Sequence, residues 1–183
     1  MPQKKGSIAD PTKLMVFEDK KSQVIQVVIE TPKGSRNKYS FDPDQRVFTL
    51  KKVLPEGMVF PYDFGFIPST RGDDGDPIDV LILMDEAAFP GCVVCARLIG
   101  VIEGKQSEKG NTERNDRLLA VAETSHTHSD LKSVNDLNSS LLRELEKFFE
   151  NYHANDGQKF KVLACKGPAA AVKCLERGRR KAA

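Results

Sequence analysis

The sequence of 183 residues has little net charge and no long hydrophobic run. Its 28 basic and 26 acidic residues leave a formal charge of +2, so the composition gives no sign of a dedicated nucleic-acid-binding protein. No apolar run reaches the roughly 20 residues that a membrane-spanning helix needs. The basic N-terminus lacks the apolar core of a secretory signal. These absences favour a cytoplasmic protein with no nucleic-acid partner and no membrane partner.

The sequence also has few metal-binding side chains of the nitrogen and sulfur type, with four cysteines and three histidines. Cys92 and Cys95 have a spacing that occurs in zinc and redox sites, but they lie in a predicted strand, where this spacing points the thiols to opposite faces. No second such pair exists, and the histidines lack zinc-finger spacing. We therefore expect buried or half-buried thiols in a reducing compartment. His126 and His128 are expected in a solvated loop, with a metal pair as the alternative.

Short β-branched segments separated by turn signals occupy the first two thirds of the chain. Strands are predicted at 24–30, 38–41, 47–50, 79–84, 93–103 and 118–123. Proline and glycine predict an irregular segment at 55–68, and polar residues predict an exposed loop at 104–116.

The hydrophobic period then changes to that of a helix. Apolar residues recur at helical spacing from Leu137 to Tyr152, which predicts an amphipathic helix of about four turns that begins near Asp136 or Asn138. A second, shorter helix is predicted with Pro168 near its first position. Many short strands followed by helices indicate an α+β fold, with a small barrel or curled sheet and two helices packed outside. We expect one domain over 1–183, with loose tails at 1–13 and 177–183.

The segment GDDGDPIDV at 72–80 places four aspartates within seven residues, immediately before an apolar run. Aspartate, glycine and proline favour turns, so the simplest interpretation is an exposed loop. Crowded carboxylates repel one another unless cations lie among them, and basic residues are concentrated upstream. The segment lacks the spacing of an EF-hand calcium loop, and the chain has no phosphate-binding P-loop motif.

A divalent cation resolves the crowding of the aspartates. Mg²⁺ takes oxygen ligands and is usually held by one or two carboxylates together with substrate phosphate. Asp74 and Asp76 point the same way in an extended segment, and a bend at Gly75 lets Asp79 face the same cavity. The segment therefore predicts a site for Mg²⁺.

The segment also resembles the aspartate signature of the family I soluble inorganic pyrophosphatases. Five further segments occur in the order of that family, and the resemblance covers roughly residues 14–176. They are VVIETP (27–32), NKY (37–39), FPYDFGFIP (60–68), RLIGVIE (97–103) and FFENY (148–152). The resemblance implies an OB-like barrel of five strands with two helices and Mg²⁺-dependent hydrolysis of pyrophosphate to two phosphates. It further implies a homohexamer, and Mn²⁺ or Zn²⁺ are possible substitutes for Mg²⁺.

The resemblance also implies roles for individual residues. Asp76 matches the general base, and Asp74 and Asp79 match metal ligands. Glu30 matches an inner carboxylate that touches metal-bound water. The phosphate contacts are expected from Lys38, Lys52, Tyr152 and Arg117, where Lys52 replaces an arginine and Arg117 replaces a lysine.

Several positions depart from the family pattern. Ser40 replaces a carboxylate, Phe60 and Phe64 replace tyrosines, His153 replaces a lysine, and Asn115 takes the position of an aspartate. Asp116, one place further on, is the expected third acid of the metal site, with Glu108 and Glu113 as alternatives. These changes leave two other functions open, which are hydrolysis of another phosphoanhydride, such as a nucleotide or polyphosphate, and a weakened or purely binding protein. Because OB-like barrels often bind oligonucleotides, a nucleic-acid-binding module is the alternative from a different class.

Overall fold

The structure, a computed structural model, describes residues 10–18 and 23–182. The strands found in these ranges are β1 (Ile25–Thr31), β2 (Asn37–Asp42), β3 (Val47–Val53), β4 (Asp63–Phe66), β5 (Asp79–Leu83), β6 (Val93–Glu108), β7 (Asn111–Arg114), β8 (Arg117–Ala122) and β9 (Lys159–Lys166). The helices are α1 (Ser139–Ala154) and α2 (Pro168–Ala182), and short 3₁₀ turns lie at Pro11–Lys13 and Val134–Asp136. No helix in the described ranges is long and apolar enough to cross a membrane.

Five of these strands close into a ring. They pair in the order β1, β4, β5, β8 and β6, and β6 pairs back with β1. All the pairings in the ring are antiparallel except that of β5 with β8. The ring confirms the expected five-stranded OB-like barrel and the α+β class.

The central strands of the ring are buried on both faces. Residues such as Val80 and Ile82 pack in one cluster with Leu175 of α2, and the alternate residues Leu81 and Leu83 pack in another with Phe149 of α1. Strands covered on both faces carry continuous apolar runs rather than alternating ones. This explains the runs at 80–83 and 118–122, and it places the two helices outside the barrel.

Strands β2 and β3 form a separate hairpin beside β1. Phe41 of β2 packs with Val28 and Phe66 of the ring. The hairpin thereby carries Lys38, Ser40 and Lys52 next to the end of β1, where Glu30 lies.

The structure corrects the expectation of an exposed loop at 104–116. Strand β6 continues to Glu108, and β7 returns along it, with Glu108 opposite Asn111. The two connecting residues, Lys109 and Gly110, both have positive φ, at 49° and 87°, as in the two-residue turns that match strand twist. The segment is polar because this hairpin is largely exposed, which hid its strand character.

Besides β7, two further strands were missed in the sequence. The segment at 55–68 contains β4, whose four residues are all buried, although its sequence DFGF has no β-branched residue. Strand β9 follows α1 and pairs with β6. Both strands are fixed by partners that are distant in the sequence.

The helix starts agree with the sequence, but the ends of the chain do not. The side chain of Asn138 caps α1 by accepting a hydrogen bond from Ser140 N at 2.8 Å, and Pro168 is the first residue of α2. The prediction of a loose tail at 177–183 is wrong as far as Ala182, because α2 runs through it and packs Gly178 against Ile78. Residues 11–13 likewise form a capped turn, while residues 1–9 and 183 of the predicted tails lie outside the described residues.

Candidate active site

A cavity of about 400 Å³ lies between the β2–β3 hairpin, the ring and helix α1. It brings together residues that the sequence separates by more than 100 positions. Six of the nine predicted site residues line it: Glu30, Lys38, Asp76, Asp79, Arg117 and Tyr152.

Glu30 and Lys38 form a buried ion pair on one wall of the cavity. Glu30 Oε2 accepts a hydrogen bond from Lys38 Nζ at 2.9 Å, and Oε1 accepts from Ser40 Oγ at 3.1 Å and from Phe41 N at 2.8 Å. Lys38 Nζ also lies 4.5 Å from the centre of the Phe64 ring, within cation–π range. Ser40 thus orients Glu30, and Phe64 supports Lys38.

Asp79 and Arg117 form a second ion pair deeper in the cavity, with Nη1 of Arg117 2.7 Å from Oδ2 of Asp79. Burial raises the pKa of Asp79 to about 6, with the nearby charges of Glu30 and Asp74 adding to the effect and Arg117 and Lys38 opposing it. A cation beside Asp79 therefore relieves an unfavourable negative charge.

Asp74 and Asp76 lie on a tight loop at the edge of the cavity. Gly75, between them, has a φ of 91°, a conformation that glycine adopts without steric cost, and Asp76 N donates to Asp74 Oδ1 at 3.2 Å. Asp76 is exposed and faces the 400 Å³ cavity. Asp74 faces a small neighbouring crevice that it shares with Asp79, and burial raises its pKa, with Asp76 and Glu113 contributing.

Asp116 lies in the same crevice as Asp74 and Asp79, but its carboxylate already has partners. Oδ2 accepts from Arg114 Nε at 2.8 Å and from Arg177 Nη2 at 3.1 Å, and Oδ1 accepts from Gly104 N at 3.2 Å. The other two acids considered for this role, Glu108 and Glu113, line a shallow depression at the β6–β7 hairpin. Of these three acids, Asp116 shares the crevice of Asp74 and Asp79, and Glu113 is close enough to Asp74 for its charge to raise the pKa of that residue.

The donor atoms of this region suit a hard divalent cation. Asp74, Asp79 and Asp116 offer carboxylate oxygens in one crevice, and the raised pKa values of Asp74 and Asp79 mark a place where a cation reduces repulsion. Within the described ranges no three His, Cys, Asp or Glu side chains converge closely enough to hold a metal by themselves. Mg²⁺ fits such a site, since it commonly keeps several waters and takes further oxygens from substrate phosphate.

Tyr152 lines the side of the cavity next to α1, and Lys52 lies against its ring. Lys52 Nζ lies 3.7 Å from the centre of the Tyr152 ring and pairs with Asp156. Burial, with the charges of Asp79 and Asp156, raises the pKa of Tyr152, so its hydroxyl stays protonated and can donate. Lys52 is not in the cavity lining, whereas its neighbour Lys51 is.

Sequence reasoning missed the aromatic wall of the cavity and the group that holds Arg117. The ring of Phe60 packs against those of Phe64 and Tyr152, with centroids 5.5 and 5.7 Å apart. Arg117 Nη2 lies 3.5 Å from His153 Nε2, and Nη1 donates to Asn115 Oδ1. The sequence did contain a signal. Four positions depart together from the family pattern that the sequence resembles, and departures that occur together can compensate one another. These positions are Phe60, Phe64, Asn115 and His153.

The comparisons with known proteins agree with this site. The family model for inorganic pyrophosphatase matches residues 27–183. Curated relatives named inorganic pyrophosphatase include one from Synechocystis, 40% identical over 85% of this chain and 90% of its own, and one from Nostoc, 42% identical over 72% and 76%. The crystal structure of inorganic pyrophosphatase from Thermus thermophilus has a TM-score of 0.86 and 33% identity, covering 95% of this chain and 99% of that chain.

Fold, site and comparisons together define a class, which is that of hydrolases acting on phosphoanhydrides. The chain belongs to the inorganic pyrophosphatase family. Membership confirms the resemblance drawn from the sequence.

Proposed function

We propose that this chain hydrolyses inorganic pyrophosphate to two phosphates in the 400 Å³ cavity, with Asp76 as the general base. The observation that carries the proposal is the division of charge in the cavity. Two acids, Asp76 and Asp79, and two lysines, Lys38 and Lys51, line the same space. A substrate with four negative charges needs the cations, and an attacking water needs the base.

We propose Mg²⁺ as the cofactor, held by Asp74 and by the oxygen of Asp79 that Arg117 does not engage, with Asp116 beside them, and Mn²⁺ or Zn²⁺ as substitutes. When bound, a divalent ion neutralises substrate charge and lowers the pKa of its water. Glu30 acts by holding Lys38 in place, since three donors engage its carboxylate. Asp116 also anchors Arg114 and Arg177, so we expect its contribution as a ligand to require their rearrangement.

Lys38 and Tyr152 are the proposed phosphate contacts, joined by Lys51 from the cavity lining. Lys38 offers positive charge to the departing phosphate, and the protonated hydroxyl of Tyr152 offers a hydrogen bond. Lys52 is expected to act from outside the lining, by supporting the Tyr152 ring. Arg117 is directed at Asp79 rather than into open space.

A second candidate function is hydrolysis of a longer phosphate chain or of a nucleotide. A basic groove adjoins the cavity and shares Asp76 and Pro77 with it. Arg71, Arg179 and Arg180 line this groove, so it offers cations to phosphates beyond the first two. Phosphate release measured with pyrophosphate, tripolyphosphate and ATP distinguishes the two candidate functions.

The deciding experiment measures phosphate release from pyrophosphate with and without Mg²⁺, for the wild type and Asp76→Asn. We expect Mg²⁺-dependent release that falls by roughly 10²- to 10⁴-fold in the variant. Asp44→Asn, which changes an exposed aspartate of the β2–β3 turn, is the matched control and should keep full activity. Unchanged turnover in Asp76→Asn would remove Asp76 from the mechanism, and no release from folded wild type would overturn the proposed activity.

We propose that the protein is a homohexamer, because the family resemblance implies one. We also propose that it lies in the cytoplasm and has no nucleic-acid partner, because the composition favours both. Sedimentation velocity tests the assembly. A retardation assay with single-stranded oligonucleotides at low and physiological salt tests the absence of nucleic-acid binding.

A further inference from the structure

Arg117 is a cation that the fold immobilises. The residue is 5% exposed, and its guanidinium contacts Asp79, Asn115 and His153. Its carbon Cζ lies 5.7 and 6.0 Å from the ring centres of Phe149 and Phe160. A side chain held on several edges and packed beside two aromatic rings cannot swing away without losing all these contacts.

The neighbours of Arg117 are themselves fixed in one arrangement. Gln158 Nε2 donates to Glu108 Oε2 at 2.8 Å, which leaves Gln158 Oε1 to face His153 Nδ1 at 3.0 Å. The proton of the neutral imidazole is therefore on Nδ1, and Nε2 presents its lone pair to Arg117. Asn115 is held in the same way, because its Nδ2 donates to Gln106 Oε1 at 2.6 Å.

His153 is suited to this task because it is neutral. Burial lowers its pKa to about 4, and the charges of Arg117 and Lys52 contribute. A lysine at this position would place a second positive charge near Arg117 and repel it. The neutral ring of His153 instead accepts a hydrogen bond from Arg117. Asn115 is also neutral, so the charge of Arg117 is directed at Asp79 alone.

Two of the carboxylates that line the cavity are already paired with a cation. Glu30 is paired with Lys38 at 2.9 Å, and Asp79 with Arg117 at 2.7 Å. No lysine or arginine of residues 10–18 and 23–182 lies within salt-bridge distance of Asp74 or Asp76. A metal ion that approaches Oδ2 of Asp79 meets the fixed positive charge of Arg117.

We propose that the Arg117 guanidinium is a built-in cation that takes the place of one divalent metal ion against Asp79, so that the site binds fewer metal ions than its acids would hold without Arg117. Asn115 and His153 are positioning residues that keep it there. The inference concerns the proposed metal site, and it rests on the proposed function only for the identity of the cavity. The inference predicts how many metal ions each chain binds, and this number is measured without any enzymatic turnover.

The test counts Mn²⁺ ions bound to the free protein, from the loss of the free Mn²⁺ signal in electron paramagnetic resonance. The proteins compared are the wild type, Arg117→Met, Arg117→Lys and Asn115→Asp. We expect Arg117→Met to bind one more Mn²⁺ per chain than the wild type. Arg117→Lys should bind that ion too, because an ammonium cannot keep the guanidinium's several fixed contacts at once. Asn115→Asp should bind no further ion, because the new carboxylate pairs with Arg117.

Arg97→Met is the matched control, since Arg97 is a half-buried arginine of β6 that contacts backbone carbonyls and does not line the cavity. It should bind as many Mn²⁺ ions as the wild type. Circular dichroism and thermal melting establish that each variant is folded. If Arg117→Met does not fold, the number of Mn²⁺ ions bound to Arg117→Lys tests the inference. Equal Mn²⁺ binding by the wild type and folded Arg117 variants would overturn the inference. So would an additional ion in Asn115→Asp.

The same samples separate this inference from the proposed function. Phosphate release from pyrophosphate is measured alongside the binding. Turnover with unchanged Mn²⁺ binding in the variants rejects the built-in cation and keeps the hydrolase. An extra Mn²⁺ without turnover in any protein keeps the built-in cation and rejects the hydrolase.

Discussion

Asp79 and Arg117 begin neighbouring strands of the ring, and the pairing of those strands places their side chains together. Strands β5 and β8 are parallel, with Val80 opposite Leu118, so Asp79 and Arg117 occupy the same level at the start of each strand. Their side chains meet at 2.7 Å. The ion pair at the centre of the site thus follows from sheet register, and two strands that are otherwise wholly apolar present one charge of each sign at the cavity.

Removing Lys38 should strongly destabilise the protein. Lys38→Met leaves the carboxylate of Glu30 buried without its cation, and breaking a buried pair costs about 3–5 kcal/mol in the free energy of unfolding. Urea denaturation measures the loss, and Lys161→Met, at an exposed position of β9, should have little effect. The double change Glu30→Gln with Lys38→Met should recover part of the loss, and no recovery would mean that Lys38 stabilises by packing alone.

His153 should give the stability a pH dependence below neutrality. Its pKa is about 4 in the folded protein against 6.5 as the ordinary value, so between these values the unfolded chain binds a proton that the folded protein does not. The free energy of unfolding is therefore fully retained above pH 6.5 and falls by up to roughly 3 kcal/mol as the pH drops to about 4.

Urea denaturation of the wild type and His153→Gln at pH 7.5 and pH 4.5 measures this dependence. The variant should be less stable at pH 7.5 and should lose less on acidification than the wild type. His126→Gln, at an exposed histidine, should keep the wild-type dependence. An identical loss in His153→Gln would show that other groups cause the acid sensitivity.

Gly65 should not tolerate a side chain. A Cβ atom at this position would lie 2.0 Å from the carbonyl oxygen of Val28 on the paired strand β1, and backbone in a closed ring cannot move aside. Gly65→Ala should lower the free energy of unfolding by at least about 3 kcal/mol. Gly167→Ala, whose Cβ meets only Ser133 Oγ at 3.3 Å, should cost about 1 kcal/mol or less. Similar melting temperatures for the two variants would contradict the close approach.

Divalent metal should stabilise the protein through the aspartate segment. A ligand that binds only the folded state at 100 times its dissociation constant adds about 2.7 kcal/mol, so Mg²⁺ should raise the melting temperature of the wild type. Asp74→Asn should reduce this rise, because one of the proposed ligands loses its charge. Asp130→Asn, in an exposed segment, should keep it. An undiminished rise in Asp74→Asn would place the metal elsewhere.

Local chemistry made parts of this molecule predictable from the sequence. The helical period from Leu137 to Tyr152 and the capping residue Asn138 are set by neighbours within one or two turns, so α1 was predicted nearly to its ends. The aspartate segment was visible because its charges are adjacent in the chain. Strand β4 was not predicted, because proline and glycine surround it in the sequence and its strand conformation depends on pairing with β1 and β5.

The tertiary structure alone decided how the site residues are coupled. Ser40 orients Glu30, and Asn115 and His153 hold Arg117, contacts that join residues on different elements. The sequence showed these positions as departures from a family pattern, with no indication that they touch one another. Hydrogen bonds between side chains depend on sheet register and helix placement, which are set by burial over the whole barrel. The sequence determined which chemical groups the protein has, and the packing of the ring against its helices determined which of them meet.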